Sequence, residues 1–256
     1  MDLKEYSKSI GFYDSEVDDK VRIMCYGATG VGKTRVAGTF PKPFFIDTNR
    51  GLLTLRQIGV KPLSLPISRD DHVYKIIKDV LRKIKVKEEP FDKFEIETIV
   101  FDDVTDLADF LLTDLMLHPS PGQPRRDPTT TRPEWNDYGI LRNQLKELMI
   151  TARELPLNMV GIAGLKTEAG EVGSSQWGKP LIIGSYRDHI GYCFDDYIHM
   201  TTEGSGDKLK YVTYTASHFQ LGVQFEAKSR SGLPAKIENM DYDKLFQALQ
   251  KAKGNG

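Results

Sequence analysis

Two cysteines in 256 residues leave no basis for a disulfide framework, and Cys25 and Cys193 lie far apart in the chain. Sparse thiols of this kind fit a reduced compartment, so a cytoplasmic location is expected. The chain also lacks an apolar run approaching the length of a membrane span. Its opening, MDLKEYSKSI, is no secretory leader. An excess of charge of either sign is missing too. With 35 Lys and Arg against 36 Asp and Glu, the net charge is −1. That excludes a global basic field as the means of holding nucleic acid, so any such surface must be local. There are no internal repeats, and the length suits one well-buried α/β domain rather than two. His189, Cys193 and His199 lack zinc-site spacing, and structural roles are expected for them.

What is present begins at residue 21 with VRIMCYGATGVGKT. A short apolar strand runs straight into GxxxxGKT, met by Gly27, Gly32, Lys33 and Thr34. Gly27 and Gly32 let the backbone turn without a Cβ, so successive N–H groups can point at an anion. Lys33 supplies a compact cation for the β- and γ-phosphates, and the Thr34 hydroxyl can ligate Mg2+. Ala28, Thr29, Gly30 and Val31 complete the loop, and Arg35 follows on a helix whose positive end adds to the site. The pattern predicts nucleoside triphosphate binding, with ATP and Mg2+ as the cofactors. No Asn-Lys-x-Asp element supports a guanine-specific switch, and nothing marks the lid or acceptor pocket of a nucleoside kinase.

Further along, PFFID (43–47) and TIVFDD (98–103) read as buried strands, the second apolar on both faces until it ends in two carboxylates. Residues 70–87 carry a helical apolar stripe opposite a lysine-rich face, which reads as solvated. Residues 118–134 are rich in proline and threonine and predict a mobile loop. An amphipathic helix follows with Trp135, Tyr138, Leu141, Leu145 and Leu148 on one face, then the strand NMVGIAGL (158–165). A second Gly- and Ser-containing loop is expected from Lys166 to Tyr186, then a β meander, then a helix from Tyr242 capped by Asp241. The expected architecture is α/β: a mainly parallel sheet flanked by helices, with C-terminal antiparallel edge strands. It divides into a lead-in (1–20), a core (21–238) and a C-terminal helix and tail (239–256).

The triphosphate chemistry needs a metal anchor, and Asp102 is the expected Mg2+-associated carboxylate. Asp103, one residue on, is read two ways: a water-activating carboxylate, or the cap of the next helix.

FPKPFFIDT, TIVFDDVTDL, the Trp135–Leu148 helix and AKSRSGLP (227–234) together resemble RecA-fold ATPases. More narrowly they resemble the short phage-encoded RecA-like proteins of single-strand annealing and recombination, over residues 20–250. Lys228-Ser229-Arg230 is similar to an element whose cations, in those relatives, reach the neighbouring subunit's γ-phosphate. The resemblance implies a ring or filament with Lys228 and Arg230 acting across subunit junctions; the alternative is an ordinary charged strand end. It also implies that the loops 118–134 and 166–186 face single-stranded DNA, through Arg125, Arg126, Arg132, Lys166, Trp177 and Lys179, with Arg187 at the edge. A protein partner is the alternative occupant.

Two positions depart from the relatives. Asn49 stands where a glutamate polarises the attacking water, and Gly164 where a Gln or His senses the γ-phosphate. An amide can orient a water but cannot take its proton. The expectation is therefore slow hydrolysis, with Asp103 carrying what base function remains. The function expected is ATP-dependent single-stranded DNA binding and annealing, with a single-strand-binding protein as a candidate partner and, for a phage product, the bacterial host's cytoplasm as the setting. The alternative is a nucleotide-gated switch or loader with little turnover.

Overall fold

The computed structural model describes residues 20–168 and 176–254, so the lead-in expected at 1–20 lies outside the described residues apart from Lys20. The chain runs β1 (Arg22–Tyr26), α1 (Lys33–Gly38), β2 (Pro43–Asp47), α2 (Leu53–Arg56), β3 (Leu63–Pro66), α3 (Val73–Val86), β4 (Thr98–Asp102), α4 (Val104–Leu117) and α5 (Trp135–Arg153). It continues through β5 (Asn158–Glu168), β6 (Gln176–Leu181), β7 (Asp196–Glu203), β8 (Lys210–Tyr214), β9 (His218–Gln220), β10 (Val223–Phe225), β11 (Lys228–Ser229), β12 (Lys236–Glu238) and α6 (Tyr242–Gly254). The main sheet has the order β12-β8-β7-β1-β5-β4-β2-β3. From β7 to β3 the strands are parallel; β8 and β12 extend that edge antiparallel.

Alternation along the strands explains the layers. On β1, Met24 and Tyr26 point to one face with Ile99 and Phe101 of β4, where α3, α4 and α5 cover them. Ile23 and Cys25 point to the other, with Phe45, Val100 and Ile162, under α1, α2 and α6. The two-residue period of a strand buried on both sides yields two apolar cores, one per helical layer. Leu245 and Leu249 of α6 belong to the second core, so the C-terminal helix is part of the domain's own packing. Asp241 caps it, accepting from the Lys244 N–H at 2.8 Å. The lysine face of α3 is solvated and ion-paired, as in Lys78–Glu147 and Lys83–Asp79.

Three expectations are corrected. The segment 166–186 is no open loop. β5 continues to Glu168 and turns back as β6, pairing Lys166 with Lys179 and Glu168 with Trp177. Strand alternation persists through KTE and QWGKPL, and residues 169–175 between them lie outside the described residues. A second surprise is Trp135, which is 94% exposed rather than on the buried face of α5. The third concerns 118–134, which is ordered by Arg126. Its N–H donates to the Met116 carbonyl, and its guanidinium grips Asp137 with two bonds of 2.7 Å.

β10 joins β6 and β9 in a small sheet that springs from the end of β5. It is tied to the main sheet by Tyr26, whose hydroxyl donates to the Glu226 carbonyl at 2.6 Å. Behind it lies a stack: His199 sits flat on Phe225 (4.1 Å, 6°) and its Nδ1 lies 3.3 Å from Nε2 of His218. Burial, with His218 beside it, drives the His199 imidazole down to about 3. It stays neutral in the fold, whereas the unfolded chain takes a proton near the ordinary histidine value. Stability from this group is therefore complete above about pH 6.5 and falls as the pH drops below it, by on the order of 1 kcal/mol per unit. His199→Phe, whose ring fits the same stack, is expected to flatten that part of the stability–pH curve. Urea melts between about pH 7 and 5 measure it; an unchanged slope would count against the assignment.

Candidate functional site

The carboxyl ends of parallel strands form the usual ligand edge of such a sheet. Here β1 ends in the phosphate loop, β2 in Asp47-Thr48-Asn49, and β4 in Asp102-Asp103. They open onto a cleft of ≈ 930 Å³ lined by residues 29–36, Asn49, Asp102, Asp103, Tyr211, Asn239 and Lys244 among others.

Gly30 and Gly32 adopt φ of 83° and 88°, the left-handed region that turns successive N–H groups inward. Gly27 is required for a different reason. A Cβ there would lie 2.1 Å from the Met200 carbonyl oxygen of β7. Lys33 folds over the loop, with Nζ donating to the carbonyls of Gly27 (2.9 Å) and Ala28 (2.8 Å). Burial lowers its pKa while Asp103 and Asp102 pull it back up. An arriving triphosphate would offer this cation far stronger acceptors than two carbonyls.

Thr34 Oγ1 donates to Asp102 Oδ2 at 2.9 Å. Asp102 is 1% exposed, and its Oδ1, like Oδ1 of Asp47, meets no donor. Burial pushes the Asp102 carboxyl up to about 6 against the pull of the Thr34 hydroxyl, and neighbouring Asp103 and Asp47 add to the rise. A buried carboxylate oxygen left without a partner is costly unless a cation meets it. The donor set is all hard oxygen, which suits Mg2+. Thr34 and Asp102 would hold the ion, whose contribution is to neutralise charge on the phosphoryl oxygens.

Asp103 caps α4 by accepting from the Asp106 N–H at 2.7 Å, and it also faces the cleft. Burial raises it to about 6. The Asn49 amide hydrogen-bonds this carboxylate, and Asn49 Oδ1 accepts from the Gly51 N–H at 2.7 Å. The two residues thus form one polar unit beside the phosphate loop, able to orient a water between an amide and a carboxylate. Gly164 donates its N–H to Thr105 Oγ1 (2.9 Å), in the first turn of α4.

The far wall was not legible in the sequence. Tyr211 comes from β8, with its ring 3.7 Å from where a Cβ on Gly32 would stand, and Asn239, Asp241 and Lys244 come from the β12–α6 junction. An aromatic ring flanked by polar groups is suited to a nucleobase. No local motif announces it, because β8 reaches the loop only through pairing with β7, and β12 through pairing with β8.

Lys228 and Arg230 are not near their own phosphate loop. β11 pairs Lys228 with Tyr197, itself opposite Met24, and the Arg230 N–H donates to the Asp195 carbonyl. Lys228 is thus level with the middle of β1 and Arg230 with its end opposite Gly27, and both cations are exposed. Arg125 and Arg132 are exposed on the 118–134 segment, and Arg126 is half-buried with its guanidinium paired to Asp137. Lys166, Lys179 and Trp177 stand on strands of the small sheet rather than on a loop.

A three-layer α/β fold with an ordered phosphate loop, a threonine–aspartate pair and a mostly parallel sheet defines a P-loop NTPase. Residues 19–231 match the family model described as an AAA domain. That covers most of the chain, which belongs to this family of P-loop ATPases. No curated protein matches the chain. Among the described residues, no helix is long and apolar enough to cross a membrane.

Lys33→Ala removes the one cation inside the loop and leaves the fold's cores untouched. It is expected to weaken binding of a fluorescent triphosphate by about 100-fold or more, with an unchanged melt. Tight residual binding would mean that the cleft holds its ligand elsewhere.

Proposed function

We propose that this chain is an ATP-dependent, RecA-like recombination protein that holds single-stranded DNA and promotes annealing or strand pairing. Its active unit is a ring or filament with nucleotide and Mg2+ at subunit junctions. The observation that carries this reading is the outer face of the small sheet. Trp177, Gln224 and Phe219 are in register across β6, β10 and β9, so their side chains share one face. Trp177 and Phe219 are 40% and 61% exposed. Lys166 and Lys179 lie on the same face by the two-residue period, paired with Glu168 at 2.9 Å and Glu226 at 3.5 Å. Exposed pairs of this kind contribute about 0–1 kcal/mol, which a nucleic-acid phosphate can replace. Aromatic platforms beside cations suit single strands, whose bases stack without sequence preference.

The same sheet grows from β5, and Gly164 on β5 touches the first turn of α4 next to Asp103. That is a short physical route from the γ-phosphate position to the DNA face. Lys228 and Arg230, far from their own nucleotide, are available to a neighbour's. A cation supplied from outside makes hydrolysis depend on assembly. With Asn49 in place of a carboxylate, turnover is slow, and ATP serves mainly to hold the assembled state. A second reading, a nucleotide-gated loader, draws on Trp135, whose near-complete exposure suits a protein partner.

Trp177→Ala is expected to weaken binding of a fluorescent oligonucleotide by about 5- to 100-fold, the cost of one lost stacking platform. Nucleotide affinity should not change, and undiminished DNA binding would favour the loader. Arg230→Ala should leave nucleotide binding intact and abolish DNA-stimulated hydrolysis, read as phosphate release. Turnover of the parent chain at tens per second, undiminished in Asp103→Asn, would refute slow hydrolysis through that residue.

A further inference from the structure

Away from the cleft, three side chains converge where the connection from β3 to α3 meets the last turn of α4. Asp114 lies in the last turn of α4 and His118 caps its end, its N–H donating to the Asp114 carbonyl, and the His118 Nδ1 lies 2.9 Å from Asp114 Oδ1. His72, just before α3, brings its Nδ1 to 3.9 Å from the same oxygen. One ligand atom from each residue lies within 4.8 Å of those of the other two. We propose that His72, Asp114 and His118 form a binding site for a divalent transition cation of the zinc class.

The chemistry selects the ion. Two imidazoles and one carboxylate are a zinc-type donor set, and imidazole disfavours Mg2+ and Ca2+. Three protein ligands leave a fourth tetrahedral position for water. Metal bonds of about 2.0–2.1 Å put ligand atoms about 3.3 Å apart in a tetrahedron. The pair at 2.9 Å must open slightly and the pair at 3.9 Å must close. His72 has the freedom to do this, because its side chain is 59% exposed, while Asp114 at 10% is fixed. Asp114 is held from behind, its Oδ2 accepting the Tyr74 N–H at 3.0 Å, so one oxygen orients the carboxylate and the other faces the histidines. Such outer hydrogen bonding is what a ligating carboxylate needs. The carbonyl end of α4 adds negative potential at the same point.

The surroundings supply rigidity. Arg69 Nε donates to Thr113 Oγ1 at 3.1 Å, docking the β3–α3 connection onto α4. His118 also opens the 118–134 segment, so a bound cation would clasp the root of that segment to α3.

The test uses tag-free, chelator-stripped full-length protein, with excess Mg2+ to occupy the nucleotide site. Zn2+ is titrated against a chromogenic chelator, and Co2+ reports geometry through its visible absorption. One Zn2+ per chain is expected, with tetrahedral Co2+ bands. His72→Ala, at an exposed position that leaves the fold intact, should weaken binding at least about tenfold, and His118→Ala likewise. Retained nucleotide binding in each variant reports an intact fold. Absence of stoichiometric Zn2+ binding by the parent chain, or equal binding by the His72→Ala chain, overturns the site.

Discussion

The structure turns on burying carboxylates at the ends of β2 and β4 more deeply than their hydrogen bonds can satisfy. Asp47 and Asp102 each keep one oxygen that meets no donor, in a place that water barely reaches. Burying such an oxygen is costly, and a cation that meets it offsets the cost. The two apolar cores on either side of the sheet are what hold it in place. The ligand edge is thus a region where stability has been exchanged for affinity, and much of the surrounding architecture keeps that edge from relaxing.

How the edge is braced explains what could and could not be read from the residues. The phosphate loop, the acidic end of TIVFDD and the alternating strands announced themselves because their signals are local: a spacing, a run, a period. Asp103 shows the limit of that reading. The sequence allowed a helix cap or a water-orienting carboxylate, and the fold has it capping α4 while it faces the cleft beside Asn49. The hairpin of β5 and β6 was missed because KTEAGEVGSS carries turn residues in quantity, and composition outweighed the alternation flanking them. Tyr211 and Asn239 were invisible for a different reason. Their place at the loop depends on β7 lying parallel beside β1 and on β12 pairing with β8, contacts between segments too far apart for any short window of sequence to contain. Likewise the DLMLH spacing of Asp114 and His118 means little until the fold brings His72 beside it.

The small sheet stands in a similar relation to the main one. Its inner side is closed by the Phe225, His199 and His218 stack and by the Tyr26 hydroxyl, and its outer side keeps aromatic rings in solvent. An apolar surface is seldom left bare when the opposite side of the same three strands is packed so closely. The division is between a face that fixes position and a face that leaves its rings exposed.

Gly27 carries a consequence for how chains of this kind diverge. Its hydrogen sits against the Met200 carbonyl, where any side chain would collide with backbone rather than with a movable group. The residue is therefore demanded by the contact between β1 and β7 as well as by an anion. A descendant that had lost all use for nucleotide would still be under pressure to retain it, since replacement would wedge those strands apart. The first glycine of the motif would thus persist as an architectural fossil, while Lys33, whose amine bonds only two carbonyls of its own loop, would be free to drift. In such a lineage it is the lysine that carries the record of surviving chemistry.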